Sequence, residues 1–220
     1  MHEAHAVPQS KVFFEVMSSL DGFIAPEGME SALAGDPSYK DSMGKWTELT
    51  SWVFKQKFFR ENLKIGKGGE TGEENQMVEG TFKRTGVSIM GKRMFAAGER
   101  SWPEDAPFHT PVYVVTHQPR EPWERLGGTT FYFVNDGLES ALAQARRVAG
   151  NKDVRIAGGA NIIQQYLNTG LVDEFTVHYT PVFFGQGTLL FSGVKNDIKV
   201  KIKKAVTSSE VTHVTYDVES

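Results

Sequence analysis

No cysteine occurs anywhere in the 220 residues. That absence removes disulfides, thiol nucleophiles and cysteine-ligated zinc or iron–sulfur centres together. A surplus of cations is also missing: 24 Lys and Arg stand against 27 Asp and Glu, a formal charge of −3. Without a basic stripe there is no electrostatic footing for a nucleic-acid backbone, and no nucleic-acid partner is expected. No stretch approaches the ~20 apolar residues that cross a bilayer. The opening "MHEAHAVPQS" has neither a basic n-region nor an apolar h-region, so the expectation is a cytoplasmic chain with no membrane partner. Neither G-x-x-x-x-G-K-[ST] nor G-x-G-x-x-G is present, which leaves no standard phosphate motif to mark a nucleotide site.

What remains is ordinary globular material, 40% hydrophobic and 23% charged. A chain of this length buries about 70% of the surface its unfolded form exposes, without help from metal or disulfide. Residues 1–10 read as a flexible terminus, in which His2 and His5 are given no role, and 11–220 as a single domain.

"KVFFEVMSSLDGFIA" (Lys11 to Ala25) reads as a strand broken by a turn at Asp21-Gly22. From Pro26 to Lys45 the Gly, Pro, Ser and Met content suggests a long irregular segment, a lid candidate. "LTSWVFKQKFFREN" (Leu49 to Asn62) has helical apolar spacing, with Thr50 or Ser51 as its cap. The following "KIGKGGETGEENQMVEG" carries five glycines among polar residues and reads as an exposed, mobile insertion.

Strands are expected at Val87 to Met90, in "PVYVVTH" and in "TTFYFV". "GLESALAQARRVAG" is an amphipathic helix ended by Gly150. "DVRIAGG" leads into a helix "ANIIQQYLNTG", and "KVKIKKAV" and "VTHVTYDV" alternate with the period of strands. Strands and helices alternate through the middle and strands finish the chain. An α/β fold follows, with a mostly parallel central sheet flanked by helices and antiparallel C-terminal edge strands.

Three strand ends carry groups suited to an anion. Gly158-Gly159 precedes a helix whose N-terminal N–H groups and dipole favour negative charge, and glycine lets a pyrophosphate approach the backbone. The same spacing serves a plain strand-to-helix turn. In "SIMGKRMF", Gly91, Lys92 and Arg93 open a second helix. Two cations there oppose the dipole, which a bound polyanion explains better than stability does; a solvated charged turn is the alternative. "VVTHQP" adds Thr116, His117 and Gln118. Ligands of open α/β sheets bind in this region, so a nucleotide is indicated.

In this order "SLDGFIA", "SIMGKR", "VVTH", "RIAGGANIIQQYLNTGLVDEF" and "TPVFFGQGTLLF" resemble the dihydrofolate reductase superfamily. Within it they are closer to the branch that contains the C-terminal pyrimidine-reductase domain of riboflavin biosynthesis and its stand-alone relatives. The resemblance runs from roughly Lys11 to Phe191, apart from the insertion around Ile65 to Gly80. It implies a dihydrofolate reductase-like fold and NADPH across the C-terminal strand edge. Gly91, Lys92 and Arg93 would take adenosine-side phosphates, Thr116 and His117 the 2′-phosphate region, and Gly158, Gly159, Ala160 and Asn161 the pyrophosphate. Val16, Met17, Ile24 and Ala25 would border the nicotinamide. A homodimer is expected, because relatives commonly pair.

Folate reductases of the superfamily carry a carboxylate near the start of the helix after the lid. Here that point falls on Leu49 or Thr50, and Glu48 is one or two residues away, about 100° of helix per residue off target. True dihydrofolate reductase activity is therefore not expected. On the substrate side, Glu48 and Trp52 are binding candidates, with core packing the plainer use of a Trp. Asp21 and His178 are the catalytic candidates; a histidine at this place donates a proton or bonds a heteroaromatic ring. A structural Asp-Gly turn and a half-buried, satisfied histidine are the alternatives.

The reading is an NADPH-dependent reductase acting on a small heterocyclic or carbonyl-type substrate. A sharper version is 5-amino-6-(5-phosphoribosylamino)uracil reductase of the riboflavin pathway, for which Lys55, Lys57 and Arg60 offer a second basic cluster. The contrasting reading is a nucleotide-binding protein without turnover.

Overall fold

The computed structural model describes residues 10–29 and 37–219. Residues 1–9, with His2 and His5, and part of the expected lid lie outside the described residues.

Nine strands form the main sheet, in the order β10-β11-β8-β1-β7-β3-β4-β6-β5. They are β1 (Val12–Ser19), β3 (Thr85–Gly91), β4 (Val112–Val115), β5 (Trp123–Glu124), β6 (Thr130–Val134), β7 (Asp153–Gly158), β8 (Glu174–Thr180), β10 (Lys199–Thr207) and β11 (Thr212–Glu219). The six strands from β8 to β6 are parallel, while β11, β10 and β5 run antiparallel at the two sides. A separate ribbon pairs β2 (Phe23–Pro26) with β9 (Gly187–Leu189).

The helices are α1 (Pro37–Lys55), α2 (Lys57–Asn62), α3 (Glu73–Arg84), α4 (Lys92–Glu99), α5 (Leu138–Ala149) and α6 (Ala160–Asn168). The chain advances from β1 through β3 and β4 to β6, then steps back to β7 and β8. Right-handed crossovers therefore place α1–α4 on one face of the sheet and α5 and α6 on the other. Val12, Phe14, Val87, Ile89, Val154 and Ile156 pack under α5 and α6, and Trp52, Val53 and Val78 form the core beneath α1 and α3. Strands covered on both faces are almost continuously buried, as in β3, whereas β11 keeps a strand register with partial exposure. Among the described residues no helix is long and apolar enough to cross a membrane.

Three local expectations are corrected. The helix expected to start near Leu49 begins at Pro37, so most of the expected irregular segment after that point is helical. Thr50 is no cap; it lies inside α1, and its hydroxyl bonds the Trp46 carbonyl at 2.8 Å. The expected mobile insertion is tied down: the Glu70 carbonyl accepts from Lys57 N–H and its N–H donates to the Lys55 carbonyl, both at 2.9 Å. It then forms α3, which buries Val78 and Thr81. Two acids in its first turn and two bases in its last complement the helix dipole, a signal that glycine content hides.

Candidate active site

β7, β3 and β4 are neighbours, so the three sequence-marked junctions lie side by side along their C-terminal ends. Gly91 is the N-cap of α4 and Gly159 that of α6, and neither helix has a side-chain cap bond. The cap residues themselves thus supply no side-chain acceptor to either first turn. A Cβ built on Gly91 would lie 4.0 Å from the Gly158 carbonyl oxygen, which brings the two junctions within van der Waals reach. Gly158 has φ +119°, a conformation that only glycine adopts readily. At Gly159 a Cβ would meet nothing within 4 Å, so the space before α6 is open. Lys92 and Arg93 are exposed in the first turn of α4. Beyond β4, buried Thr116 donates its N–H to the Val134 carbonyl and accepts from Gln118 N–H on its hydroxyl, with His117 exposed beside it.

β1 keeps seven paired positions with β8 but only two with β7, Val12 with Val154 and Phe13 with Arg155. Past that point no ladder pair joins the two strands on the way to the Gly158-Gly159 junction. Val16 and Met17 lie on β1 beyond its last pair with β7, facing opposite sides of the sheet. Ile24 and Ala25 belong to β2, held by β9 through Ala25 and Thr188.

Asp21 is a clasp. Its carboxylate accepts from the Ser19 hydroxyl at 2.6 Å and from the N–H groups of Phe184 and Gly185, the latter at 2.7 Å. Against a slight burial, these bonds hold it below the usual aspartate range. It thereby fixes the β8–β9 loop next to β1.

His178 and Trp52 come together on the α1 face, with ring centroids 5.1 Å apart. Both are buried, while Glu48 sits on the exposed side of α1. His178 faces His213 across the β8–β11 pair, with their Nδ1 atoms 2.7 Å apart. At the outer ends of this pair lie two carboxylates: Glu15 is 3.8 Å from His178 Nε2, and Glu74 is 3.6 Å from His213 Nε2. Thr81 donates to Glu15 at 2.6 Å, and Gln56 bridges Glu70 and Glu74 at 3.1 Å each. Burial would raise the Glu15 carboxyl, but His178, Arg155 and Thr81 outweigh it and hold the group below its ordinary value. Burial together with the charge on His178 pushes His213 down to about 4, against the pull of Glu74 and Glu15. The result is a buried, charged array able to hold and move a proton.

Glu15, Arg155, His213, Glu74 and Gln56 were not singled out in the sequence. A lone Glu within "VFFEVMSS" and a lone Arg within "DVRIAG" were available signals, because strands covered on both faces seldom carry an isolated charge. The His213 pairing depends on cross-strand register and had no local signal. Of the expected second basic cluster, Lys55 pairs with Glu210, and Arg60 bonds the carbonyls of Phe54 and Gly68. A surface groove of about 370 Å³, lined by Leu20, Tyr179, Pro181 and residues 208–212, contains none of the expected cofactor residues.

An open α/β sheet with this strand order, a two-position ladder between β1 and β7 and glycine-bearing strand ends is a dihydrofolate reductase-like domain. Solved structures with this fold include a putative riboflavin biosynthesis protein from Shewanella sp. PV-4, with 18% identity, 96% of this chain and 99% of that one covered and a TM-score of 0.64. A diaminohydroxyphosphoribosylaminopyrimidine deaminase/5-amino-6-(5-phosphoribosylamino)uracil reductase from Thermotoga maritima is 16% identical, with 96% and 57% covered and a TM-score of 0.59. Dihydrofolate reductase from Enterococcus faecalis, complexed with NADP(H), is 13% identical, with 96% and 98% covered and a TM-score of 0.54.

The chain belongs to the RibD C-terminal domain family, whose model matches residues 10–214. Among curated proteins it is 38% identical over 85 residues to the uncharacterized protein YyaP of Bacillus subtilis (strain 168), covering 38% of this chain and 45% of that one. To YwjB of the same organism, also uncharacterized, it is 31% identical over 71 residues, 32% and 40% of the two chains. The matched stretches thus span less than half of each curated relative.

Proposed function

We propose that this protein is an NADPH-dependent reductase that transfers hydride to a small heterocyclic or carbonyl-type substrate. The observation that carries the reading is the adjacency of three anion-suited strand ends beside the point where β1 and β7 cease to pair. Open space before an uncapped α6, and the cations at an uncapped α4, fit the phosphates of a dinucleotide. Gly158, Gly159, Ala160 and Asn161 would hold the pyrophosphate, Gly91, Lys92 and Arg93 the adenosine-side phosphates, and Thr116 and His117 the 2′-phosphate region. Val16, Met17, Ile24 and Ala25 would border the nicotinamide, which supplies the hydride when bound. On the α1 face, Trp52 and His178 would meet the substrate. Glu48 points to solvent and takes no part in this reading.

The family name and the Thermotoga relative favour a riboflavin-type pyrimidine substrate. The pairing of Lys55 and the backbone bonds of Arg60 leave little of the basic cluster expected for a substrate phosphate, so the broader class is preferred. Titration of the purified protein with NADPH, followed by nicotinamide fluorescence, tests the reading. Saturation in the micromolar range is expected; no change at ~50 μM, within the ordinary KM range, overturns it. Binding without oxidation across pterins, pyrimidines, quinones and aldehydes would leave a nucleotide-binding protein without turnover.

A homodimer is part of the proposal. On the α6 side of the outer strands, Val200 and Ile202 are 45% and 62% exposed, and Phe191, in ring contact with Phe175 on the same face, is 40% exposed. Lys199 and Lys201 mark the open edge of β10 itself, while Lys203 and Lys204 turn to Glu174 and Glu73. A second copy would therefore pack on the apolar face, not extend the ladder.

A further inference from the structure

Arg155 is a cation that the reductase reading leaves unused. It stands on β7, a strand with a parallel neighbour on each side and helices over both faces, where an isolated charge is rare. Val154 and Ile156 turn to the core under α5 and α6, so Arg155 turns to the α1–α4 face, paired with Ser88 of β3 and Phe13 of β1. Among the described residues its guanidinium has no hydrogen bond and no ion pair. Nε is buried without a partner, while the side chain is partly exposed and the two Nη nitrogens, equally unbonded, are not enclosed. The charge that acts on it is Glu15, two residues past the last pair between β1 and β7. Glu15 Oε2 accepts from the Thr81 hydroxyl; Oε1 is unbonded, on a side chain that is 18% exposed.

Taking a guanidinium out of water without giving it an acceptor costs stability. The fold alone gives no return for that cost, whereas a guest that supplies the acceptor does. We infer that Arg155 and Glu15 bind the edge of a cyclic amide, the guanidinium donating through Nη to its carbonyl oxygen and Glu15 Oε1 accepting from its adjacent N–H. The inference rests on the reductase reading above and names the class of heterocycle that the site takes. Because Glu15 already balances the charge of Arg155, the guest is uncharged; a carboxylate or phosphate bound here would be repelled by Glu15. A carbonyl beside an N–H satisfies the free donor and the free acceptor together, which a plain aldehyde or a quinone, having no N–H, does not. Gly158 follows three residues later on the same strand, about 10 Å further along. A ring held by its edge at Arg155 thus extends toward the junction assigned to the cofactor.

The probes are 2-pyridone, a single-ring cyclic amide, and N-methyl-2-pyridone, which keeps the carbonyl and lacks the N–H. Saturation-transfer NMR on the full chain, with and without NADPH, measures their binding. The parent pyridone is expected to bind at about 1 mM, and the N-methyl form about tenfold more weakly, the share of one hydrogen bond to a charged group. Arg155→Lys, which keeps the charge and loses the planar fork, should weaken 2-pyridone by a similar factor. Arg155→Met should abolish its binding and leave the urea midpoint unchanged or raised, since the fold loses no hydrogen bond. A lowered midpoint would mark Arg155 as a structural partner of Glu15 and overturn the inference. Equal binding of the two pyridones, full affinity in Arg155→Lys, or no transfer to 2-pyridone would overturn it as well, with NADPH binding untouched. Failure of NADPH to bind defeats the reductase reading instead, and Arg155-dependent binding of 2-pyridone, which needs no cofactor, then decides the ligand site by itself.

Discussion

Lys92 is a cation seated where a helix favours an anion. If the residue served only the fold, Lys92→Glu would stabilise α4 by up to ~0.5 kcal/mol, since it turns an unfavourable dipole contact into a favourable one. If Lys92 binds cofactor phosphate, the same change should weaken NADPH about tenfold, roughly 1.4 kcal/mol. Both effects are expected together, a melting temperature that is unchanged or slightly raised and a weaker fluorescence titration. A parallel fall in both would show that Lys92 holds the fold and would remove it from the site. At this scale the strand-to-helix junctions at Gly91 and Gly159 were legible, because such turns are written locally in glycine and in the runs on either side of it. His178 was legible only as half of a pair. Its partner His213 stands 35 positions away, and nothing in "VTHVTYDV" distinguishes an inward histidine from any other strand residue.

The strand and helix elements are joined at the N-terminal end of the sheet by a second charged group, built on Glu174. Its carboxylate receives Lys11, Arg84 and Lys203 at 2.7–2.8 Å, while Arg84 also reaches Asp153 at 2.8 Å. β1, α3, β7, β8 and β10 are thus tied at one point. Burial would raise the Glu174 carboxyl, yet its three cations bring it down to about 2. Its folded value lies below its unfolded one, so it contributes stability above pH 4.5 that is lost as pH falls through 2. His213, depressed to about 4, also binds its proton less readily folded than unfolded, and its contribution is lost between pH 6.5 and 4. Denaturant unfolding as a function of pH should therefore show two successive losses. Glu174→Gln should remove the lower one and reduce stability at neutral pH by ~2 kcal/mol, a figure discounted for the partly solvated cations. A variant that keeps the lower step would assign it elsewhere.

The same elements show why the sequence was readable in some places and not in others. β1, β3 and β7 announce themselves through burial and alternation, and α5 through a clean apolar stripe that ends at Gly150. α3 does not, because its sequence EENQMVEGTFKR offers little apolar surface. It is held by polar ties, Thr81 to Glu15 and Arg84 to Glu174, whose partners lie far along the chain. The early start of α1 was hidden by a Pro and a Gly that composition assigns to loops, although Pro is at home in a first helical turn.

For the whole molecule, the outer wing of β8, β11 and β10 combines an apolar face with a lysine-fringed rim. Ile202→Lys, at the most exposed of its aliphatic positions, should convert a dimer to a monomer in light scattering and leave NADPH affinity within about twofold. A wild-type protein that is monomeric at high concentration would defeat the dimer proposal outright.

The two-position ladder between β1 and β7 has a mechanical consequence. The nine strands act as two boards joined near one end, and the angle between them can change without breaking a continuous run of backbone bonds.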